Sequence, residues 1–272
     1  MAGEVPYAVR GLWRREVITA PGFRDETTQV VWLQTQSWYA DLRVAADRPV
    51  IPGAQSFAAY GDEDLKAMAK VQGFAGQLTV ADGICYWRRD VDYQPPTDSP
   101  DEGRYSLSDD VLVEDGIHAE YQEIWRRAPD SLEPAAAFKL DGEDGRTGVL
   151  VIGGRFMIEF VSRAVAPPAA ASLVEAVEAA LAAGDRATAE DLLSTRIRFA
   201  ERGADGRWLT RLSSLPWLQD QPVWVDGAAA FDGDSLLTAQ ADRWRLIDTS
   251  LPLDGLAPWL GARETSTLGA RP

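Results

Sequence analysis

The sequence is poor in the two side chains that most often bind metals or form nucleophile–base pairs. Its 272 residues include one cysteine, Cys85, and one histidine, His118. A single cysteine cannot form an internal disulfide, which is typical of a reducing compartment, so we predict a cytoplasmic protein. One Cys and one His also supply neither a metal cluster nor a catalytic dyad of convincing spacing. We therefore expect no metal and no cofactor.

Long apolar runs and an excess of positive charge are also missing. No stretch of about 18 apolar residues occurs, so no membrane-spanning helix is predicted. The N-terminal sequence MAGEVPYAVRGLW lacks a basic start followed by an apolar block, so no secretory signal is expected. With 27 basic against 42 acidic residues, the formal charge is −15. Such a charge repels nucleic acids and anionic membranes, so we expect neither as a partner.

Short β segments separated by tight turns dominate the sequence. Over residues 11–163 apolar and polar residues alternate in short stretches, and Asp82-Gly83 and Asp115-Gly116 are typical of hairpin turns. One long helix is predicted between an N-cap at Ser172 and Gly184. Sequential strands without alternating helices predict a mainly β fold, an antiparallel barrel with one helical insertion.

The predicted elements divide the chain into three parts. Residues 1–165 are expected to form the barrel, residues 166–195 the helical insertion, and residues 196–272 further β segments. These C-terminal segments either complete the first barrel or form a second small barrel. We favour completion, because about 85 residues after the long helix carry few strands for a roomy barrel. The sequence makes no prediction of oligomeric state.

Several stretches resemble a known class of barrels. RGLWRRE, with Gly11 and Trp13, is similar to the first-strand Gly-x-Trp of lipocalin-like (calycin) barrels, in which the Trp plugs the closed end. Five further stretches resemble, in this order along the chain, a group of uncharacterised bacterial and fungal lipocalin-like proteins. They are VVWLQTQSWYADLRV, CYWRRDVDYQPP, DEGRYS, VEDGIHAEYQEIWRR and RFAERGADGRWLTRLSSLPW. That group includes a fungal casein-kinase-interacting protein built of two such barrels. The resemblance implies fold more than function, because such barrels host carriers, haem proteins and a few cofactor-free enzymes.

The segment GIHAEYQEIWRR places a carboxylate among aromatic side chains. In an extended strand Tyr121, Glu123 and Trp125 point to the same side. Theirs is the more apolar side, so we expect it to face the interior. A buried carboxylate without a partner is costly, so Glu123 should be paired or should have a raised pKa. Arg88 and Arg89 are both candidates for its partner.

The segment SWYADLRV supports two interpretations. In the first, Trp38 and the residues that alternate with it pack in the core, while Asp41 and Arg43 form a solvated ladder. In the second, Tyr39, Asp41 and Arg43 line a polar cavity, as in barrels that hold a ligand.

Other segments add to the second interpretation. Trp32 and Gln34 share a face, and an amide beside an indole suits a polar aromatic ligand. Trp87 is the natural inward residue of GICYWRRDVDYQPP. His118 follows the turn at Asp115-Gly116 and is expected at an edge or rim.

Three functions are compatible with such a cavity. The first is binding of a small apolar or aromatic molecule, with or without a carboxylate. The second is a cofactor-free lyase, isomerase or hydrolase step with Glu123 as acid or base. The third is a protein-interaction module with a filled barrel. The predicted catalytic residues are Glu123, Arg43, Tyr39 and Tyr121. The predicted ligand-binding residues are Trp32, Gln34, Trp38, Asp41, Trp87, Trp125 and His118.

Overall fold

Two β-sheets form the framework of the molecule. The computed structural model describes residues 4–97, 99–168, 170, 172–224, 229–238 and 241–264. Within these residues each sheet has nine strands, the first drawn from residues 11–127 and the second from residues 135–264. The predicted mainly β, antiparallel barrel is confirmed.

The first sheet closes on itself. Its strands are β1 (Gly11–Ala20), β2 (Phe23–Asp25), β3 (Gln29–Gln34), β4 (Trp38–Val44), β5 (Gln72–Ala81), β6 (Ile84–Asp92), β7 (Glu102–Ser108), β8 (Val111–Gly116) and β9 (Gln122–Arg127). Consecutive strands pair in order from β3 to β9, while β1 pairs with both β3 and β9. The β1–β9 ladder runs from Trp13–Arg127 to Thr19–Gln122 and closes an eight-stranded barrel. Strand β2 pairs only with the C-terminal end of β1.

The second sheet is a half-barrel. Its strands are β10 (Ala135–Asp141), β11 (Thr147–Gly153), β12 (Phe156–Val161), β13 (Arg196–Arg202), β14 (Trp208–Ser213), β15 (Ala229–Asp232), β16 (Ser235–Leu237), β17 (Arg243–Thr249) and β18 (Ala262–Glu264). Their order is β14-β13-β12-β11-β10-β17-β16-β15-β18, with β15 and β18 parallel. Strands after the long helix therefore pair with β12 and β10. They do not complete the first barrel, as we had favoured, because that barrel already closes through strand β1, which is paired on both sides.

Helices cover the space beside the two sheets. They are α1 (Asp62–Met68), α2 (Leu173–Ala182), α3 (Arg186–Leu192) and α4 (Leu253–Leu260), with 3-10 turns at Tyr7–Val9, Phe57–Ala59 and Pro216–Leu218. The hydroxyl of Ser172 accepts a hydrogen bond from the Glu175 amide at 3.2 Å and so caps α2, as predicted. No helix in the described ranges is long and apolar enough to cross a bilayer.

One apolar core lies between the two sheets. It combines residues of the first barrel, the half-barrel and α1 to α3, including Leu33, Trp38, Ala40, Leu42, Val44, Leu65, Met68, Val149, Val151, Ile158, Phe160, Val177, Leu193, Ile197 and Phe199. The outer face of β4 is therefore covered by the second sheet.

A polar clamp joins the two sheets at the edge of this core. One carboxylate oxygen of Asp248, in β17, accepts hydrogen bonds from the Thr35 hydroxyl at 2.9 Å and from the Ser37 amide and hydroxyl at 3.1 Å each. Thr35 and Ser37 lie in the turn between β3 and β4, so this turn is fixed against the second sheet.

Candidate ligand site at the mouth of the first barrel

Strand β4 is buried on both faces. Trp38 and Leu42 enter the core between the sheets, while Tyr39, Asp41 and Arg43 point into the first barrel. Asp41 is only 2% exposed. The apolar set packs in a core, as the first interpretation of SWYADLRV predicts, but its solvated ladder is wrong, because Asp41 and Arg43 line the interior of the barrel.

Four indole side chains pack together inside the first barrel. Trp32 stacks on Trp13 with ring centroids 6.3 Å apart, and it meets Trp87 and Trp125 edge to face at 5.7 and 5.9 Å. Such edge-to-face contacts add to the free energy gained by burying the rings. The interior is thus a packed aromatic cluster and leaves little room for a guest.

A small cavity remains at the polar end of this cluster. It has a volume of about 20 Å³, enough for one group the size of water. Its lining residues are Trp32, Tyr39, Asp41, Arg43, Phe74, Trp87, Asp101, Glu114 and Trp125. A wider groove of about 540 Å³ adjoins it and shares Trp87 and Asp101. The side chains of Arg43 and Asp101 are 24% and 25% exposed, which places them at the mouth.

A chain of ion pairs runs behind the cavity. Arg15 binds Glu123 at 2.7 Å and Asp25 at 3.2 Å. Arg43 binds Asp41 at 3.0 Å and lies 3.9 Å from Glu123. The expected pairing of Glu123 is therefore present, but its partner is Arg15 of β1. Arg88 and Arg89, the candidates suggested by the sequence, instead bind acidic residues of their own neighbourhood.

Two carboxyls of the cavity have raised pKa values. Burial raises the pKa of Asp41 to about 6, although Arg43 opposes the shift. Burial and the charge of Glu123 raise the pKa of Glu114 to about 8, against the opposing hydrogen bond from the Tyr121 hydroxyl at 2.9 Å. Among the described residues Glu114 forms no ion pair. Its environment therefore favours the neutral acid near neutral pH.

Two polar atoms of the cavity wall have no partner. The hydroxyl of Tyr39 and the indole Nε1 of Trp125 are both buried, and neither makes a hydrogen bond within the described structure. Tyr39 is fully buried and Trp125 is 2% exposed. Buried polar groups are normally hydrogen-bonded, so a water molecule or a polar ligand group in the cavity would supply partners that these two atoms lack.

Six of the residues predicted from the sequence meet at this cavity, namely Trp32, Tyr39, Asp41, Arg43, Trp87 and Trp125. Glu123 and Tyr121 lie behind its wall, where Glu123 binds Arg15 and Tyr121 holds Glu114.

Three other predicted residues lie elsewhere. Trp38 packs between the sheets. The amide of Gln34 is occupied by the Trp32 indole at 3.3 Å and by the carbonyls of Thr35 and Trp38 at 3.2 Å each. His118 is on the surface, 3.0 Å from Glu102.

Sequence reasoning missed Glu114, Asp101, Phe74 and Arg15. The alternation in VLVEDG could have identified Glu114, because this residue shares a face with the buried Leu112. Arg15 carries no such local signal, since its partner is 108 residues away. Within the described ranges no group of three or more His, Cys, Asp or Glu side chains is placed to hold a metal ion.

Comparison with known proteins supports the fold. No protein-family profile matches the sequence, and no curated protein matches it. Among solved structures, the chain is similar to the crystal structure of the uncharacterised protein YLR301w from Saccharomyces cerevisiae, with a TM-score of 0.58 and 14% identity. The likeness covers 89% of this chain and 99% of the yeast chain, so it extends over both sheets. At this identity it shows a shared fold alone.

Proposed function

We propose that the first barrel binds a small molecule at its mouth, with a polar end in the cavity and an aromatic or apolar body in the adjoining groove. The observation that carries this proposal is the pair of unpartnered buried atoms, the Tyr39 hydroxyl and the Trp125 Nε1, in the wall of one cavity. Leaving such groups unsatisfied costs about 1–3 kcal/mol each, and a bound polar group removes that cost.

The volumes of the cavity and of the groove indicate which part of the ligand each can hold. The cavity of about 20 Å³ accepts one non-hydrogen atom with its hydrogens, whereas the groove of about 540 Å³ is in the usual range of ligand sites. Trp87 borders both spaces and offers a ring surface to the body of the ligand. The ligand is therefore not enclosed in the lumen, which the indoles already fill.

The position of Trp13 supports kinship with lipocalin-like barrels. Its indole is fully buried, donates to the Val9 carbonyl at 2.8 Å, and lies 5.1 Å from the Arg127 guanidinium. The 3-10 turn at Tyr7–Val9 thus meets this Trp, in keeping with the plugged barrel end that the resemblance implies.

A thermal-shift screen against aromatic acids, amines and alcohols tests the proposal, because a ligand that binds only the native state raises the melting temperature. We expect at least one hit that also changes tryptophan fluorescence and that Trp87→Phe weakens. Trp259→Phe is the matched control, because Trp259 packs on Trp208 in the second sheet. A hit weakened equally by both variants, or no hit at all, would contradict the proposal.

A catalytic role for the same cavity is the second candidate, and the pKa of Glu114 favours it. A carboxyl with a pKa of about 8 can give or take a proton near neutral pH. Glu123, the acid or base predicted from the sequence, is held by Arg15 and Arg43, so Glu114 is the better placed group. Turnover of a hit by the wild type that is lost in Glu114→Gln would establish catalysis; unchanged turnover would exclude Glu114.

The third predicted function is a filled barrel that binds a protein partner, such as the casein kinase implied by the resemblance. A screen without hits, followed by binding of purified casein kinase, would favour this function over the other two.

A further inference from the structure

Carboxyl groups outnumber guanidinium groups in the wall of the cavity. Three of its lining residues are acids, Asp41, Asp101 and Glu114, and one is a base, Arg43. Glu123 lies directly behind the wall and contributes to the raised pKa values of both Asp41 and Glu114. A ligand that enters the cavity therefore meets more carboxyl groups than guanidinium groups.

Arg43 is not a free anchor for an anion. Its Nε donates to Asp41 at 3.0 Å, its Nη1 lies 3.9 Å from Glu123, and its guanidinium lies 5.1 Å from the ring centre of Phe74. A carboxylate would have to compete with Asp41 and Glu123 for Arg43. The electrostatics thus disfavour the carboxylate-bearing ligand that the sequence left open.

The aromatic wall suits a cation. Five of the nine lining residues carry aromatic rings, and the negative face of such a ring attracts ammonium and guanidinium groups. Phe74 already serves in this way, because the guanidinium of Arg89 lies 3.7 Å from its ring centre. Rings and carboxyls around one small space are the usual elements of an ammonium-binding cage.

Resting on the proposed function, we infer that the polar end of the ligand is a protonated amine. An ammonium group matches the volume of about 20 Å³ and can donate to Asp41, to Glu114 and to the Tyr39 oxygen. The Trp125 N–H can only donate, so the ammonium group satisfies the Tyr39 oxygen and not this indole. Asp101, at the mouth, is already paired with Arg89 at 2.6 Å.

The protonation of Glu114 predicts the direction in which amine affinity changes with pH. Glu123 faces it across the β8–β9 ladder, the Tyr121 hydroxyl donates to it, and on the β7 side it contacts the uncharged Gly103. Arg43 is the cation that acts on it, Asp101 is a further acid that raises its pKa, and the buried thiol of Cys85 lies nearby on β6. Because the free carboxyl has a pKa of about 8, a bound cation favours its ionised form and releases a proton. Amine affinity should then rise from about pH 6 to about pH 8, whereas an anion would cause proton uptake.

Calorimetric titration with three probes of one shape tests the inference: phenethylammonium, phenethyl alcohol and phenylpropionate. We expect phenethylammonium to bind about tenfold more tightly than the other two, in line with cation–π and carboxylate contacts. Repeating the titration in phosphate and HEPES buffers, which differ in ionisation enthalpy, should show proton release at about pH 7.

Matched variants complete the test. Asp41→Asn and Glu114→Gln should each reduce phenethylammonium affinity about tenfold and leave phenethyl alcohol affinity unchanged. Glu16→Gln is the control, because Glu16 pairs with Arg126 on the surface. Equal or tighter binding of the alcohol or the carboxylate, or a screen whose hits are not amines, would overturn the amine inference and leave the proposed function standing. Failure of all three probes together with an empty screen would remove the proposed function itself.

Discussion

Glu159 and Glu114 are both buried carboxyls, and the two sheets surround them differently. In the half-barrel, Glu159 accepts two hydrogen bonds from Arg198, at 2.6 and 2.9 Å, and further contacts from Arg196. Although burial opposes it, the charges of these two arginines lower the pKa of Glu159 to about 2. In the first barrel, Glu114 has only the Tyr121 hydroxyl and a raised pKa. The first arrangement is a satisfied structural ion pair, and the second is typical of a functional site.

Replacing Glu159 with Gln should destabilise the protein by about 3–5 kcal/mol near neutral pH, because two largely buried guanidiniums lose their counter-charge. The folded-state pKa lies below the unfolded value, so this stability is present above about pH 4.5 and is lost as the pH falls towards about 2. Urea unfolding of both proteins across this range measures the difference. Glu26→Gln, in an exposed pair with Arg24, should change stability by less than about 0.5 kcal/mol. A gap between wild type and Glu159→Gln that stays constant down to low pH would contradict the assignment.

At the scale of single elements, the β7–β8 hairpin makes room for Glu114. Gly103 of β7 pairs with Gly116 of β8, and the Glu114 side chain lies over the Gly103 Cα. A Cβ on Gly103 would lie 2.7 Å from both Cγ and Oε1 of Glu114. The glycine therefore determines where this carboxyl sits.

Gly103→Ala should push Glu114 out of place, lower phenethylammonium affinity, and destabilise the protein by about 1–3 kcal/mol through overpacking. Gly255→Ala in α4 is the control, because its nearest neighbour would be 3.7 Å away, an ordinary contact. Chemical denaturation and calorimetry measure both effects. Full affinity in Gly103→Ala would show that Glu114 does not contact the ligand.

Sequence periodicity predicted the strands better than it predicted their surroundings. Alternation correctly grouped Asp41 with Arg43, but it could not assign the faces of β4, because both are buried against different partners. Treating the segment GIHAEYQEIWRR as one extended strand concealed a turn, since β9 begins only at Gln122. The pairing of Glu123 with Arg15 depends on barrel closure between β1 and β9, which leaves no local pattern in the sequence.

At the scale of the whole molecule, the two sheets share a core and should unfold together. Residues of both sheets and of α1 to α3 belong to the same buried cluster, so neither sheet keeps its apolar face covered without the other. We expect far-UV circular dichroism and tryptophan fluorescence to report one coincident unfolding transition. Two separate transitions would contradict this dependence.

The clamp at Asp248 tests the same dependence locally. Asp248→Ala removes the acceptor of three hydrogen bonds from Thr35 and Ser37, and should lower stability by about 2–3 kcal/mol. Asp232→Ala, in an exposed pair with Arg243, is the control and should have little effect. The midpoints for both spectroscopic probes should move together in Asp248→Ala; a shift confined to one probe would show that the sheets are energetically separate.

The double burial of β4 also protects the chain against misassembly. Slipping this strand by a single residue would send Asp41 and Arg43 into the apolar seam and turn Leu42 towards the carboxyls of the lumen. The slip would therefore be unfavourable on both faces of β4. In a strand with one solvated face, the same slip would be unfavourable mainly on the buried face. The polar residues on the inner face of β4 thus help to fix the register of this strand while the protein folds.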